Sequence, residues 1–274
     1  FSKKIAIANK ESIICGWPLI QKELKKNKTK FTPVDSEHYS IYSLLNGIKS
    51  SNIDKVYITA SGGPFNKYSL NMFKNIKLKS ALKHPNWKMG KKITIDSATM
   101  MNKVFEIIEA QKIFNIDYKN LKILVHPKSY VHALVRFKNG ITKILIHETS
   151  MTIPISNSLY EENTNILRTK ELDFSIINNL DFNKVDLKKF PVVKILNNLS
   201  SKSSLFETII VTANDKLVNK FLINRIQFVD ISKILLRFIK DKEFSKYKLI
   251  IPKKIEDITK LSNYVSLKID SMVV

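Results

Sequence analysis

Apolar and polar positions alternate along the chain in a way that predicts two structural parts. Short apolar runs at residues 4–9, 31–34, 56–59, 122–125 and 132–137 predict strands, and helical patterns lie between the early ones. The pair Asn-Gly at 139–140 indicates a hairpin into a further strand at 141–147. After about residue 160 the pattern changes, and helices are predicted at 192–198, 205–225 and 229–239, the last with Asp230 as N-cap. We therefore expect an α/β body of about 160 residues followed by a helical part of about 85 residues.

A helix predicted from about residue 98 to residue 114 presents polar residues at helical spacing. Asn102 and Glu106 share one face and Lys103 borders it, while Ser97 is expected just before the helix start. Free N–H groups and the helix dipole favour an anion at such a start. The pattern suits a helix that holds a phosphate and a metal, and it equally suits an ordinary surface helix.

Two acidic residues, Asp35 and Glu37, follow the predicted strand at 31–34. If the strand continued, their side chains would point to the same side, because alternate residues share a face of a strand. Paired carboxylates bind hard divalent ions such as Mg²⁺ or Mn²⁺. An exposed acidic strand end or a helix cap would have the same sequence.

Two loops rich in turn residues also carry polar side chains. Residues 61–65 (SGGPF) follow a strand, and adjacent glycines let backbone N–H groups approach an oxyanion closely. Residues 84–90 (HPNWKMG) place a histidine and a tryptophan in a segment with few core-forming residues. The second loop is typical of a lid over a ligand.

Composition narrows the classes of function. The chain has 274 residues, with 46 Lys and Arg against 24 Asp and Glu, for a formal charge of +22. Lysine supplies nearly all of that positive charge, and no nucleic-acid-binding signature is present. We therefore expect the lysines to be scattered over the solvent-exposed surface. Their positive electrostatic field can attract an anionic small substrate. The chain contains no apolar run of about 18 residues, so we expect no membrane partner. Because no nucleic-acid-binding signature is present, we expect no nucleic-acid partner either. The single cysteine, Cys15, fits a reducing compartment, and the start at Phe1 resembles a mature or truncated terminus rather than a signal peptide.

Taken together and in order, the motifs resemble those of the 1-deoxy-D-xylulose 5-phosphate reductoisomerases, NADPH-dependent enzymes of non-mevalonate isoprenoid synthesis. The matching segments are residues 8–12 (ANKES), 34–38 (VDSEH), 61–65 (SGGPF), 84–87 (HPNW), 89–90 (MG), 95–103 (IDSATMMNK), 106 (E) and 126–127 (HP). A looser match covers residues 212–215 (TAND). The sequence departs from the family at Val104, where the family usually has glycine.

The resemblance implies the fold class and the division into domains. It implies an α/β fold with an α+β catalytic domain on a mixed sheet, then a C-terminal helical bundle, with a Rossmann-type domain preceding both in the full protein. The chain has six glycines and no G-x-G-x-x-G motif, so most of the Rossmann-type domain is expected to lie outside it. The expected ranges are 1–35 for a remnant of the NADPH-binding domain, 36–160 for the catalytic domain, 161–186 for a linker and 187–274 for the helical domain.

The resemblance also implies a site. It implies one Mg²⁺ or Mn²⁺ held by Asp35, Glu37 and Glu106, with Lys10 joining them as the catalytic set. The implied substrate-binding residues are Lys10, Ser36, Glu37, Ser61, His84, Ser97, Asn102, Lys103 and Glu106. The implied NADPH contacts are Asn9, Glu11 and Gly90, and the implied lid residues are Trp87 and Met89.

The implied reaction is the rearrangement and reduction of 1-deoxy-D-xylulose 5-phosphate to 2-C-methyl-D-erythritol 4-phosphate, in a homodimer of the bacterial cytoplasm or of a plastid. Two alternatives stay open beside it. Another metal-dependent sugar-phosphate enzyme would share the chemistry of the site without this order of motifs. A basic nucleic-acid-binding module would show tight, salt-sensitive binding to nucleic acid.

Overall fold

A computed structural model describes residues 2–87, 89–160 and 166–272; residues 1, 88, 161–165 and 273–274, which include the start of the predicted linker, lie outside the described residues. The strands are β1 (Lys4–Ile7), β2 (Lys30–Pro33), β3 (Ile53–Ala60), β4 (Leu121–Val125), β5 (Val131–Phe137), β6 (Thr142–Ile146) and β7 (Asn183–Lys184). The α-helices are α1 (Lys10–Lys26), α2 (Ser36–Leu44), α3 (Leu78–Ala81), α4 (Lys91–Thr99), α5 (Met101–Phe114), α6 (Thr152–Leu159), α7 (Phe174–Ile177), α8 (Phe206–Leu222), α9 (Phe228–Phe238) and α10 (Ile255–Met272). Short 3₁₀ helices occupy Ser50–Asn52, Leu70–Asn75, Tyr118–Asn120, Pro191–Asn198 and Lys242–Leu249.

The main sheet has five strands in the order β6-β5-β3-β4-β7. Strands β3 and β4 are parallel, and the other neighbouring pairs are antiparallel. The hairpin predicted at Asn-Gly joins β5 to β6, with Gly140 at φ 87°. The mixed sheet and the helices that follow it confirm the predicted fold class.

A second sheet lies at the start of the chain. It consists of β1 and β2 in parallel, joined by α1, which crosses from one to the other. The end of β2 leads directly into α2, and the end of β1 leads directly into α1. The first helical turns of α1 and α2 thereby come to the same side of this small sheet, as in other parallel β-α units.

The helix predicted at 98–114 is in fact two helices. Met100 adopts a left-handed conformation with φ 67° and separates α4 from α5. Ser97 therefore lies in the last turn of α4, so the prediction that it precedes a helix start is wrong. The prediction for Asp230 is also corrected, because Gln227 is the N-cap of α9 and Asp230 completes its capping box three residues later.

Aromatic side chains join the sheet-containing part of the chain to the late helices. Phe65, in the loop after β3, meets Phe228 of α9 edge to face with ring centroids 5.2 Å apart. Phe73 packs in the same way against Phe190, at 5.8 Å. All four rings are nearly or fully buried in one continuous core that also contains residues of α5 and α8. Residues 183–184 of the predicted linker form β7 on the main sheet, and the domain boundaries themselves stay predictions.

Within the described residues, no helix combines the length and the apolar character that crossing a membrane requires.

Candidate active site

A cavity of about 250 Å³ opens where the ends of β2 and β3 meet the junction between α4 and α5. It brings together twelve of the fifteen residues that the sequence singled out: Lys10, Asp35, Ser36, Glu37, Ser61, His84, Trp87, Met89, Ser97, Asn102, Lys103 and Glu106. The three residues that do not line it are those expected to contact NADPH, namely Asn9, Glu11 and Gly90.

Three carboxylates converge in the cavity. One oxygen each from Asp35, Glu37 and Glu106 lies within 4.8 Å of the other two. The strand argument for the first two is wrong, because β2 ends at Pro33 and Asp35 is the N-cap of α2, with Glu37 in the first helical turn. Glu106 comes from the second turn of α5, and its side chain is almost entirely buried.

Two ammonium groups lie among these carboxylates. The Lys10 Nζ is 2.8 Å from Asp35 Oδ2 and 3.4 Å from Glu106 Oε1. The Lys103 Nζ is 2.8 Å from Glu37 Oε1 and also pairs with Glu106. Both lysine side chains are less than a tenth exposed. Such burial is stable only because each ammonium has carboxylate partners.

The carboxylates differ in their readiness to ionise. Burial opposes the ionisation of Asp35, but the Lys10 ammonium and the His38 imidazole outweigh it and lower the pKa of this carboxyl well below its usual range. Burial and the nearby negative charge of Glu106 raise the pKa of Glu37 to about 7. Asp35 therefore stays ionised, whereas Glu37 beside it is readily protonated. Additional positive charge near Glu37 would favour its ionised form.

Another part of the cavity wall is rich in neutral donors. His84 Nδ1 accepts the backbone N–H groups of Asn86 and Trp87, at 3.1 and 2.9 Å. Its Nε2 therefore carries the ring proton, 3.2 Å from Ser61 Oγ. Burial, and then the charge of Lys103, lower the pKa of His84 to about 4, so the ring is neutral at pH 7.

Ser61 is prepared to donate a hydrogen bond into the cavity. Its Oγ accepts the backbone N–H of Gly63 at 3.1 Å and faces the Nε2–H of His84. With its acceptor capacity used in this way, the hydroxyl proton is left for an incoming oxygen. Gly63, at φ 64°, brings this loop against α4, because a Cβ there would lie 3.0 Å from the Ser97 carbonyl oxygen. Ser61 and Ser97 consequently line the same cavity.

The predicted lid residues lie over the cavity. The Trp87 ring meets the His132 ring edge to face, with centroids 6.2 Å apart. Asn86 anchors the same loop by donating to the Pro127 carbonyl and to Ser129 Oγ, both at 2.8 Å. The loop is thus held by β5 and by the turn that precedes it.

Sequence reasoning missed several lining residues, among them His132, Ser129 and Met151. His132 stacks on His147 with ring centroids 3.6 Å apart, and burial together with that neighbour lowers its pKa to about 3. In the sequence it is only the first residue of the predicted strand at 132–137, where a histidine is expected to support the structure. These residues reach the cavity through the long-range packing of β5 and α6, which local patterns do not encode.

The residues expected to contact NADPH lie at two helix starts. Asn9 caps α1 through its Oδ1, which accepts the Ser12 N–H at 2.8 Å, and Gly90 is the N-cap of α4. An ion pair of 2.5 Å between Glu11 and Lys92 holds the two starts together. Exposed helix starts suit the phosphate groups of a dinucleotide.

The carboxylate trio also fits a divalent metal ion by its chemistry. All three ligands are carboxylate oxygens, which Mg²⁺ and Mn²⁺ prefer. Glu106 Oε2 is buried without a hydrogen-bond partner other than its ion-pair contact with Lys103. A second acidic group, formed by Asp35, His38 and Glu109, lies behind the first and shares Asp35 with it.

Comparison with known proteins places the chain in a family. Residues 31–114 match the model of the 1-deoxy-D-xylulose 5-phosphate reductoisomerase C-terminal domain, and residues 146–266 match a second DXP reductoisomerase C-terminal domain. The reductoisomerase of Pelagibacter ubique is 63% identical over 274 residues, which cover 100% of this chain and 71% of that protein. That of Clostridium kluyveri is 41% identical over 233 residues, covering 85% of this chain and 60% of that protein.

Solved structures agree with these relatives. A DOX-P reductoisomerase in complex with NADPH, fosmidomycin and magnesium matches with a TM-score of 0.89 and 31% identity, over 99% of this chain and 70% of that one. The reductoisomerase of Zymomonas mobilis in complex with NADPH matches with a TM-score of 0.85 and 30% identity, over 98% of this chain and 69% of that one. The chain therefore belongs to the 1-deoxy-D-xylulose 5-phosphate reductoisomerase family.

Proposed function

We propose that this chain supplies the metal- and substrate-binding site of a 1-deoxy-D-xylulose 5-phosphate reductoisomerase, which forms 2-C-methyl-D-erythritol 4-phosphate with NADPH and Mg²⁺ or Mn²⁺. One observation carries the proposal: a trio of carboxylates and a cluster of anion-binding donors line the same cavity. Both are needed to hold a substrate that has a hydroxy-ketone at one end and a phosphate at the other.

The phosphate would lie at the donor-rich part of the cavity wall. Ser61 and Ser97 offer neutral donors there, and His84 presents Nε2–H. Asn102, whose Nδ2 donates to Glu106 and whose Oδ1 accepts from Lys10, would join them by turning away from the carboxylates. Lys103 supplies positive charge from the first turn of α5. A neutral imidazole suits this position because it donates a hydrogen bond without adding a charge that would have to be buried.

The reacting atoms would lie beside the carboxylates, where Lys10, Ser36 and Glu37 reach them. When bound, the divalent ion at Asp35, Glu37 and Glu106 supplies electrophilic stabilisation of substrate oxygens, and NADPH supplies a hydride. The Lys10 ammonium stays protonated, since its carboxylate neighbours outweigh its burial and raise its pKa. It can therefore donate hydrogen bonds to a substrate oxygen as negative charge develops on it. Trp87 and Met89 would cover the cavity and exclude water.

Two lysines neutralise part of the carboxylate charge in the site, as a bound divalent ion would. Lys10 and Lys103 together place two positive charges among the three carboxylates. With a divalent ion held by Asp35, Glu37 and Glu106, the charges of Glu37 and Glu106 would no longer depend on Lys103. The ammonium would then be free to face the substrate phosphate.

The direct test is turnover by the protein as encoded, at its full length. We expect NADPH oxidation that depends on both 1-deoxy-D-xylulose 5-phosphate and Mg²⁺ or Mn²⁺, and that fosmidomycin inhibits. Formation of 2-C-methyl-D-erythritol 4-phosphate, identified by mass spectrometry, completes the assignment. A protein that binds the metal and oxidises NADPH only with a different sugar phosphate would contradict the proposal.

We also propose that the protein is a homodimer in a reducing compartment such as the bacterial cytoplasm. β6 is an edge strand of the main sheet in the described residues, and Ile144 within it and Ile141 just before it are 44% and 55% exposed. Antiparallel pairing of two such edges about a twofold axis would cover them. The free thiol of Cys15 supports the reducing compartment. Sedimentation velocity should give twice the mass of one polypeptide, and a monomer at micromolar concentration would contradict the dimer.

A further inference from the structure

Lys92, in the first turn of α4, is bound on several sides. Its Nζ lies 2.5 Å from Glu11 Oε1 of α1, 2.9 Å from Asp96 Oδ2 of α4 and 2.9 Å from Asp215 Oδ1 of α8. An ammonium group has three N–H donors, and here it faces one oxygen from each of three carboxylates. The same Nζ lies 5.1 Å from the centre of the Phe105 ring on α5, so Lys92 contacts α1, α5 and α8 as well as its own helix.

The partners of Lys92 adjoin the site along the chain. Three of them are immediate sequence neighbours of proposed site residues: Glu11 follows Lys10, Asp96 precedes Ser97, and Phe105 precedes Glu106. Lys92 itself lines no part of the cavity. It therefore contacts side chains that adjoin, along the chain, the residues facing the substrate.

The fourth partner, Asp215, connects these side chains to α8, one of the late helices. The preceding residue on α8, Asn214, is fully buried and donates from Nδ2 to Asp96 Oδ1 at 2.8 Å. Asp96 is only 1% exposed, and burial raises its pKa although Lys92 and Asn214 both oppose that rise. The positive charge of Lys92 is secured in turn, because Asp96 and Asp215 outweigh its partial burial and raise its pKa.

We propose that Lys92 is a positioning residue that sets the relative placement of α1, α4 and α5 at the site and links this placement to α8. The inference rests on the proposed function, because it concerns the same cavity. Removal of the ammonium would leave three carboxylates close together, one of them buried. Whether these carboxylates then repel one another or take up protons, the ion pairs that join the first turn of α1 to α4 are lost, and Lys10 and Ser97 lose their fixed relative placement.

The test compares three variants of the protein at its full length. Lys92→Met removes the charge and keeps the length of the side chain, and Lys92→Arg keeps the charge. Lys112→Met is the matched control, since Lys112 is a buried lysine of α5 paired with Glu207 of α8 at 2.6 Å, and neither adjoins a site residue. All are assayed at a temperature where unfolding measurements show each variant to be folded.

We expect Lys92→Met to lower kcat about 10- to 100-fold, because displacements of about 1 Å at an active site have effects of this size. It should also weaken fosmidomycin binding in the presence of Mg²⁺, measured by calorimetry without turnover. Lys92→Arg should recover most of both losses, and Lys112→Met should destabilise the protein while leaving kcat within about twofold of the wild type. If Lys92→Met behaves as the Lys112→Met control does, the positioning role is wrong.

A second variant keeps the test open if Lys92→Met does not fold. Asp215→Asn removes the ion pair between Lys92 and α8 and leaves the hydrogen bond from Asn214 to Asp96 in place. The Asp215 side chain is 38% exposed, so folding should survive. We expect a drop in kcat of several-fold, and an unchanged kcat would overturn the link to α8. Failure of the wild-type protein to turn over 1-deoxy-D-xylulose 5-phosphate would instead contradict the proposed function, and fosmidomycin binding would still report on the placement.

Discussion

Gly63 allows the loop after β3 to approach α4 more closely than any other residue would, and its replacement tests how the phosphate end of the site is built. The residue has φ 64°, and a Cβ would meet the Ser97 carbonyl oxygen at 3.0 Å and the Ala98 Cα at 3.2 Å. Both obstacles are backbone atoms of a buried helix turn, so no flexible side chain can move aside. Gly63→Ala must therefore shift the loop or the helix.

The expected loss of stability has two parts. A left-handed conformation costs a residue with a Cβ about 1–2 kcal/mol. Forcing an extra carbon into a packed region costs about 1–3 kcal/mol more. The total is about 2–5 kcal/mol in the free energy of unfolding. Because the shift separates Ser61 from Ser97, we also expect the KM for substrate to rise on the order of tenfold.

Gly47→Ala is the matched control. Gly47 has φ 70°, and its Cβ would meet nothing within 4 Å. Gly47→Ala therefore carries the cost of the left-handed conformation without the steric clash. The loss of conformational entropy in the unfolded chain that alanine causes is the same in both variants. In urea unfolding, Gly63→Ala should be less stable than Gly47→Ala by about 1–3 kcal/mol. Equal stability of the two variants, or an unchanged KM in Gly63→Ala, would refute the close-approach argument.

Three further substitutions test other parts of the structure. Glu37→Gln should leave the fold intact but remove most divalent-metal binding, because an amide replaces a charged ligand; calorimetric titration with Mn²⁺ checks this, and unchanged affinity would contradict it. Lys103→Ala should raise the KM for substrate more than that for NADPH in steady-state assays, and the reverse order would assign the ammonium to the cofactor. Lys112→Met should lower the free energy of unfolding by about 3–5 kcal/mol, because it leaves the buried Glu207 carboxylate without a positive partner; a loss below about 1 kcal/mol in urea unfolding would show that the two Ser204 donors suffice to hold the charge.

The sequence identified the chemistry of the site better than its geometry. Asp35 and Glu37 do meet in the cavity, but Pro33 ends the strand before them, and they converge at a helix start. Ser97 lines the cavity from the end of a helix, because the chain turns at Met100. A left-handed methionine has no signal in sequence, since glycine and asparagine are the residues that usually adopt that conformation.

Longer-range features were harder still to predict. Strand β7 has two residues, too few for any pattern, and it forms only because β4 offers a partner. Helix α10 was not predicted, although the sequence carries a signal for it. Its buried residues Leu261, Val265 and Ile269 recur at intervals of four, as expected for one face of a helix. His132 and Met151 reach the cavity only through tertiary packing. Local sequence patterns predict secondary-structure elements and residue types, whereas the contacts between elements depend on the whole fold.

The shared aromatic core has a consequence for how such a protein can be divided or recombined. Phe65 and Phe73 belong to the part of the chain that carries the site, while Phe190 and Phe228 belong to the late helices, yet their rings interlock. A chimaera joined near residue 186 would set the rings of one parent against those of another at a contact where size and orientation must match. The two parts therefore form a single module for inheritance and for engineering, and substitutions on one side of this contact are expected to require compensating changes on the other.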